Sequence, residues 1–157
     1  MALYSNNAQL RKAGAGGLKG GFMDKINEQK RKFLESGIPY DELDKEMIDL
    51  IDVLNFKLGL RTRWCCYGHE AGETPSVIFD KSVNNKEKDI YKLAEAAGRD
   101  WKRLNISFKK WVRFSPLLIN WELVFGKSFE DPHDPRKYEN LSDVIKFFEK
   151  YSENRSN

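Results

Sequence analysis

An α+β fold is predicted for this chain: one domain with a small antiparallel sheet of about four strands, flanked by helices. Three observations predict it. Apolar residues recur at helical spacing early in the chain and again at its end, as in Leu141, Val144, Ile145, Phe148 and Tyr151. Leu104, Ile106 and Phe108, then Leu117, Ile119, Trp121, Leu123 and Phe125, alternate with a period of two, which is the signature of strands. The 157 residues, 40% hydrophobic and 32% charged, suffice for one buried core and exclude a disordered polar chain.

The elements follow in order. Residues 1–21 end in Ala-Gly-Ala-Gly-Gly-Leu-Lys-Gly-Gly, without apolar periodicity, and predict a flexible, Gly-rich basic tail. The glycines do not lead into Gly-Lys-Ser/Thr, so this is not a phosphate-binding P-loop. A single α+β domain is expected over 22–152 and a disordered tail over 153–157. A first helix runs from Met23, with Met23, Ile26, Phe33 and Leu34 near one side and Gly37 as its stop. Asp41 is placed as the N-cap of a second helix carrying Leu43, Met47, Leu50, Ile51 and Leu54 to about Phe56. Leu60–Tyr67 and Ser76–Asp80 read as a strand hairpin. Asn84 or Asn85 caps a third helix with Ile90, Leu93, Ala94, Ala97 and Trp101 on one face, which Gly98 ends or interrupts. A second hairpin follows, with a bulge expected after Phe108, where Lys109-Lys110 breaks the alternation. The loop Asp131-Pro-His-Asp-Pro-Arg136 leads into the last helix.

Charge and hydropathy narrow the function classes. The net charge of +3 equals the contribution of Arg11, Lys12 and Lys19 in the first 21 residues, so the body is neutral. That excludes the large imbalance of a strongly basic nucleic-acid binder. No apolar run approaches a membrane span and no apolar leader opens the chain, so a cytoplasmic protein without a membrane partner is expected. Cys65 and Cys66 are adjacent and are expected as free thiols.

The chemistry concentrates in Leu60-Arg-Thr-Arg-Trp-Cys-Cys-Tyr-Gly-His69. A zinc set would draw on Cys65, Cys66, His69 and His133, but neighbouring cysteines on a strand point to opposite faces, so no metal site is assigned. A Cys–His nucleophile lacks a third residue to orient the imidazole, and no catalytic residue is assigned. Strict alternation puts Arg61, Arg63, Cys65 and Tyr67 on one face and Leu60, Thr62, Trp64 and Cys66 on the other, which reads as core. The first face suits a ligand: Arg61 and Arg63 hold phosphate, Tyr67 stacks on a base, Gly68 allows close approach and His69 donates a hydrogen bond. Against this stands a plain solvated strand face. Glu70, Glu73 and Asp80 lie near enough to orient His69 or to bind a cation, or simply solvate the loop. A second basic-aromatic stretch, Arg99 to Arg113, offers Lys109, Trp111 and Arg113 as nucleic-acid contacts, with Trp101 and Phe108 assigned to the core.

Two resemblances bear on this corner. Leu54-Asn55 at a helix end, Thr62, Cys66 and Gly68 resemble the signature segment of the wybutosine-pathway tRNA methyltransferases over residues 43–80. Trp64, Cys65, Tyr67 and His69 depart from that pattern. The resemblance implies S-adenosylmethionine as cofactor and an RNA substrate. Cys66-Tyr67-Gly68-His69, followed by Val77-Ile-Phe79, also resembles small phage and prophage proteins with a Cys-x-Gly-His segment at a strand end. This likeness implies a phage-type accessory protein in the host cytoplasm, without a known activity. The expected function is binding of a nucleotide or nucleic acid at the Gly68–His69 corner rather than catalysis. The alternatives are an S-adenosylmethionine-dependent RNA methyltransferase and an inhibitor that binds a host protein.

Overall fold

The computed structural model describes residues 19–114 and 116–155, and the alternating segments form its frame. Residues 1–18 of the expected tail lie outside the described residues. The first helix, α1 (Lys19–Glu35), starts four residues ahead of Met23. Only Phe33 of its expected apolar side is fully buried; Met23 and Leu34 stay more than half exposed. Gly37 ends the helix region in a left-handed conformation, and the Ile38 N–H returns to the Phe33 carbonyl at 2.9 Å.

The second helical segment is broken where one continuous helix is expected. Tyr40–Glu42 and Lys45–Met47 are 3-10 turns, followed by α2 (Ile48–Asp52) and a π-helical turn over Val53–Lys57. Asp41 does not cap; it lies within the first turn and pairs with Lys30 at 2.6 Å. The apolar stripe is nonetheless right: Met47, Leu50, Ile51 and Leu54 are buried. The break leaves Asp44 extended between the two turns.

Four antiparallel strands follow in the order β1-β2-β4-β3: β1 (Thr62–Cys66), β2 (Ser76–Phe79), β3 (Ile106–Phe114) and β4 (Leu117–Phe125). β1 and β3 are therefore the edges. Val77, Phe79, Trp121, Leu123 and Phe125 face the helices and meet Leu50, Leu54, Ile90, Leu93, Val144 and Phe148 in one core. Each fully buried large side chain stabilises the fold by about 1.5–3 kcal/mol. Among the described residues no helix is long and apolar enough to cross a membrane.

The bulge sits in a different strand from the one expected. β3 pairs with β4 residue by residue from Ile106↔Phe125 to Phe114↔Leu117 without interruption. The irregular burial after Phe108 arises because the hairpin end projects past the helices, leaving Val112, Phe114 and Leu117 exposed. Lys110 shares the inward side and turns its ammonium to Glu87 at 2.7 Å, over the Trp121 ring. The register shift lies in β1, between Thr62↔Phe79 and Trp64↔Ile78, with Arg63 as the extra residue. It reverses the strand's phase, as the side chains described below show.

α3 (Glu87–Gly98) carries the expected buried Ile90, Leu93 and Ala97, entered through a 3-10 turn over Lys81–Lys86. Asp80 caps that 3-10 turn, its carboxylate accepting the Ser82 N–H at 2.9 Å, while α3 itself follows Lys86 without a side-chain cap, so neither Asn84 nor Asn85 caps it. Trp101 opens the short α4 (Trp101–Leu104) and is 62% exposed, so it is not core as expected. α5 (Pro135–Arg155) buries Leu141, Val144 and Phe148. It continues through Arg155, into the stretch expected to be disordered.

The junction from α2 to β1 is tied by one side chain. Asn55 donates to the Ile51 carbonyl and to Thr62 Oγ1, each at 2.8 Å, and accepts the Thr62 N–H at 3.0 Å. Three hydrogen bonds at roughly 0.5–1.5 kcal/mol each predict that Asn55→Ala lowers stability by roughly 1.5–4.5 kcal/mol, measured by urea unfolding.

Candidate functional site

Both ends of β1 carry chemistry, and the register shift decides how it is presented. Ahead of the shift Leu60 is buried; beyond it Cys65 packs against the core and Tyr67 is 3% exposed. Trp64, expected in the core, is instead 67% exposed. The face assignment made from strict alternation is thereby overturned beyond Arg63. Tyr67 is enclosed and is unavailable to stack on a base; burial, with Tyr138 alongside, pushes its phenol pKa up.

At the start of β1, Arg61, Thr62, Arg63, Trp64 and Cys65 line a groove of about 200 Å³ between this edge strand and the Gly37–Leu43 connection. Asp80 also lines it. Hydrogen bonds from Ser82 hold the Asp80 carboxyl below its ordinary pKa, and the Arg61 and Arg63 guanidinium groups add to this. Arg61, Arg63 and Trp64 are all exposed. The groove thus offers two cations and an indole ring against one fixed anion.

At the other end the chain turns at Gly68, whose φ of +80° is the left-handed region. A Cβ there would meet Glu73 Cβ, the Glu73 carbonyl and Lys137 Nζ, each at 3.1 Å. Glu73 fastens the turn by accepting the His69 and Glu70 N–H groups at 2.9 and 3.1 Å. Lys137, only 2% exposed on α5, donates its ammonium to the Gly68 carbonyl and lies 5.0 Å from the Tyr67 ring centre. Asp44 closes the corner from the far side. One of its carboxylate oxygens accepts the Tyr67 N–H at 2.7 Å, and the other is 3.0 Å from His69 Nε2. The Gly68 N–H donates to Cys66 Sγ at 3.3 Å.

The metal-capable groups therefore differ from the expected set. Among the described residues, donor atoms of Asp44, Cys66 and His69 all lie within 4.8 Å of one another. Cys65 and His133 belong to no such group. Cys65 points inward, with its thiol pushed up to about 11 mainly by burial and further by Asp44. His133 remains in its loop, its N–H bound to Asp131.

Lys109, Trp111 and Arg113 lie on β3, the opposite edge from Arg61 and Arg63. Register nevertheless relates them: Trp64 pairs with Ile78, Ile78 with Glu122 and Glu122 with Lys109, one row across the outward sheet face. Trp111 and Arg113 follow Lys109 on that face by alternation, and Trp111 is partly exposed. Sequence reasoning missed Asp44 and Lys137. The Cys-x2-His spacing of Cys66 and His69 was a signal for a shared ligand, and Lys137 falls four residues before Leu141 on the buried stripe of α5. For Asp44 no local signal exists.

Two outcomes are expected. With iodoacetamide near pH 8, mass spectrometry should find Cys66 alkylated well before Cys65, because the raised pKa keeps the partly buried Cys65 a protonated thiol. Gly68→Ala should cost at least about 1–2 kcal/mol in denaturant unfolding, from left-handed strain and the crowded Cβ.

Asn55 and Thr62, two residues that carry the methyltransferase resemblance, are hydrogen-bonded to each other in the frame of the fold. No curated protein and no solved structure matches the chain. A family model described as YoqC prophage protein matches residues 31–155, which takes in the sheet, the groove, the corner and α5. With well over half of its length matched, the chain belongs to the YoqC prophage protein family.

Proposed function

We propose that this prophage protein binds single-stranded nucleic acid, or a single nucleotide unit of it, along β1 and the outward sheet face. The observation that carries the reading is Trp64. It stands exposed beside Arg61 and Arg63 at the groove, on the row that leads across the sheet to Lys109. An exposed indole supplies a stacking surface that accepts any base, and paired guanidinium groups suit a phosphate. Trp64 takes the stacking part that the enclosed Tyr67 cannot fill. His69, at the other end of β1, has its Nε2 engaged with Asp44 at 3.0 Å and is left out of this track. Lys109, Trp111 and Arg113 extend the track on the far strand.

The charge balance sets the scale of the interaction. Glu122 lies in the row between Trp64 and Lys109, and Asp80 lies beside the two arginines. Affinity then comes from stacking and a few phosphate contacts, not from broad neutralisation of a duplex. Short single strands fit this; long double helices do not.

The test is fluorescence anisotropy with a labelled oligothymidylate, scanned over salt. Trp64→Ala is expected to weaken binding by about 10- to 100-fold, the loss of one stacked base. Arg61→Ala with Arg63→Ala should flatten the log–log salt slope by about 1.4, the share of two phosphates on a single strand. Unchanged affinity and slope in both variants, each shown to be folded by circular dichroism, would sink the proposal.

A further inference from the structure

The Gly68 corner holds a second site, independent of the nucleic-acid reading, and we infer that Asp44, Cys66 and His69 bind a zinc ion. The donors are one thiol, one imidazole and one carboxylate, the mixed set that zinc accepts. Cys66 and His69 are brought together by a tight turn, which lets two donors three residues apart approach one ion. Asp44 arrives from the break between two 3-10 turns.

Distances favour closure onto a metal. Zinc bond lengths of about 2.0–2.3 Å set tetrahedral donors roughly 3.3–3.8 Å apart. The Asp44–His69 pair, at 3.0 Å, lies a little inside this range and opens slightly around an ion, and all three donors lie within 4.8 Å. Closing the remainder takes a shift of about 1 Å, which the exposed His69 side chain can make by rotation.

The surroundings hold the donors in place before any ion arrives. The Tyr67 N–H orients the Asp44 carboxylate, and the Gly68 N–H donates to Cys66 Sγ, which fixes the direction of that side chain. Glu73 and Lys137 fix the turn from outside, as the outer groups of metal sites do. Three protein donors leave a fourth position, on the side where His69 meets solvent, for a water or a ligand oxygen. An Asp–His ion pair alone would account for one of these contacts; it does not account for the thiol converging on the same point.

The test uses the full chain, stripped of metal, titrated calorimetrically with Zn²⁺ alone and optically with Co²⁺ as a spectroscopic probe. Expected are uptake of one ion per chain, a thiolate-to-cobalt charge-transfer band, and protection of Cys66 from iodoacetamide by one equivalent of zinc. Cys66→Ser should abolish the band, and His69→Ala and Asp44→Asn should each weaken zinc binding at least about tenfold. Asn at 44 keeps an acceptor for the Tyr67 N–H, and circular dichroism checks that each variant folds. His133→Ala and Arg63→Ala should leave zinc affinity unchanged; the second separates this site from the groove. The inference is overturned by failure to take up one equivalent, by binding that survives both Cys66→Ser and His69→Ala, or by a cobalt band that follows Cys65 instead of Cys66.

Discussion

One extra residue in an edge strand governs how this protein presents its chemistry. Arg63 is inserted where β1 pairs with β2, and side chains beyond it exchange faces. Cys65 and Tyr67 turn toward the core and Trp64 toward solvent. Without the insertion a tryptophan would be driven inward and a phenol left outside. The bulge is tolerated because β1 is an edge: among the described residues its second side carries no partner strand whose hydrogen bonds would be broken.

The corner depends on that phase. With Tyr67 enclosed, its ring becomes the floor on which Lys137 and Tyr138 of α5 pack. Its N–H is then directed to Asp44. A buried lysine is tolerable only when its ammonium finds a partner, and the Gly68 carbonyl supplies one. Helix, strand and upstream turn are thus tied at a single glycine. The same ties bring Cys66, His69 and Asp44 within reach of one another, while Cys65 is withdrawn as a protonated, inward thiol.

Much of the frame was legible in sequence. The stripes Met47–Leu50–Ile51–Leu54 and Leu141–Val144–Phe148, and the alternation from Ile106 to Phe125, all lie where burial is found. Such patterns are readable because each depends on one element and its period. Errors arose where burial depends on what lies opposite. Trp101 has the spacing of the α3 stripe but falls past the helix end, in solvent. The broken alternation after Phe108 is loss of cover at a projecting hairpin and not a bulge. Around the candidate site, Arg61, Arg63, Gly68 and His69 were visible as a dense local cluster.

The sequence by itself determined the class of fold, the two hairpins, the helical stripes and the segment from Leu60 to His69 as the place of interest. These follow from composition, period and local spacing. Only the tertiary structure decided which way that segment faces and what meets it. The phase of β1 rests on its register against β2. Asp44 reaches the corner because the chain breaks between two turns. Lys137 reaches it because α5 packs across the end of the sheet. Contacts between residues this far apart are set by packing of whole elements, and no local pattern of side chains encodes them.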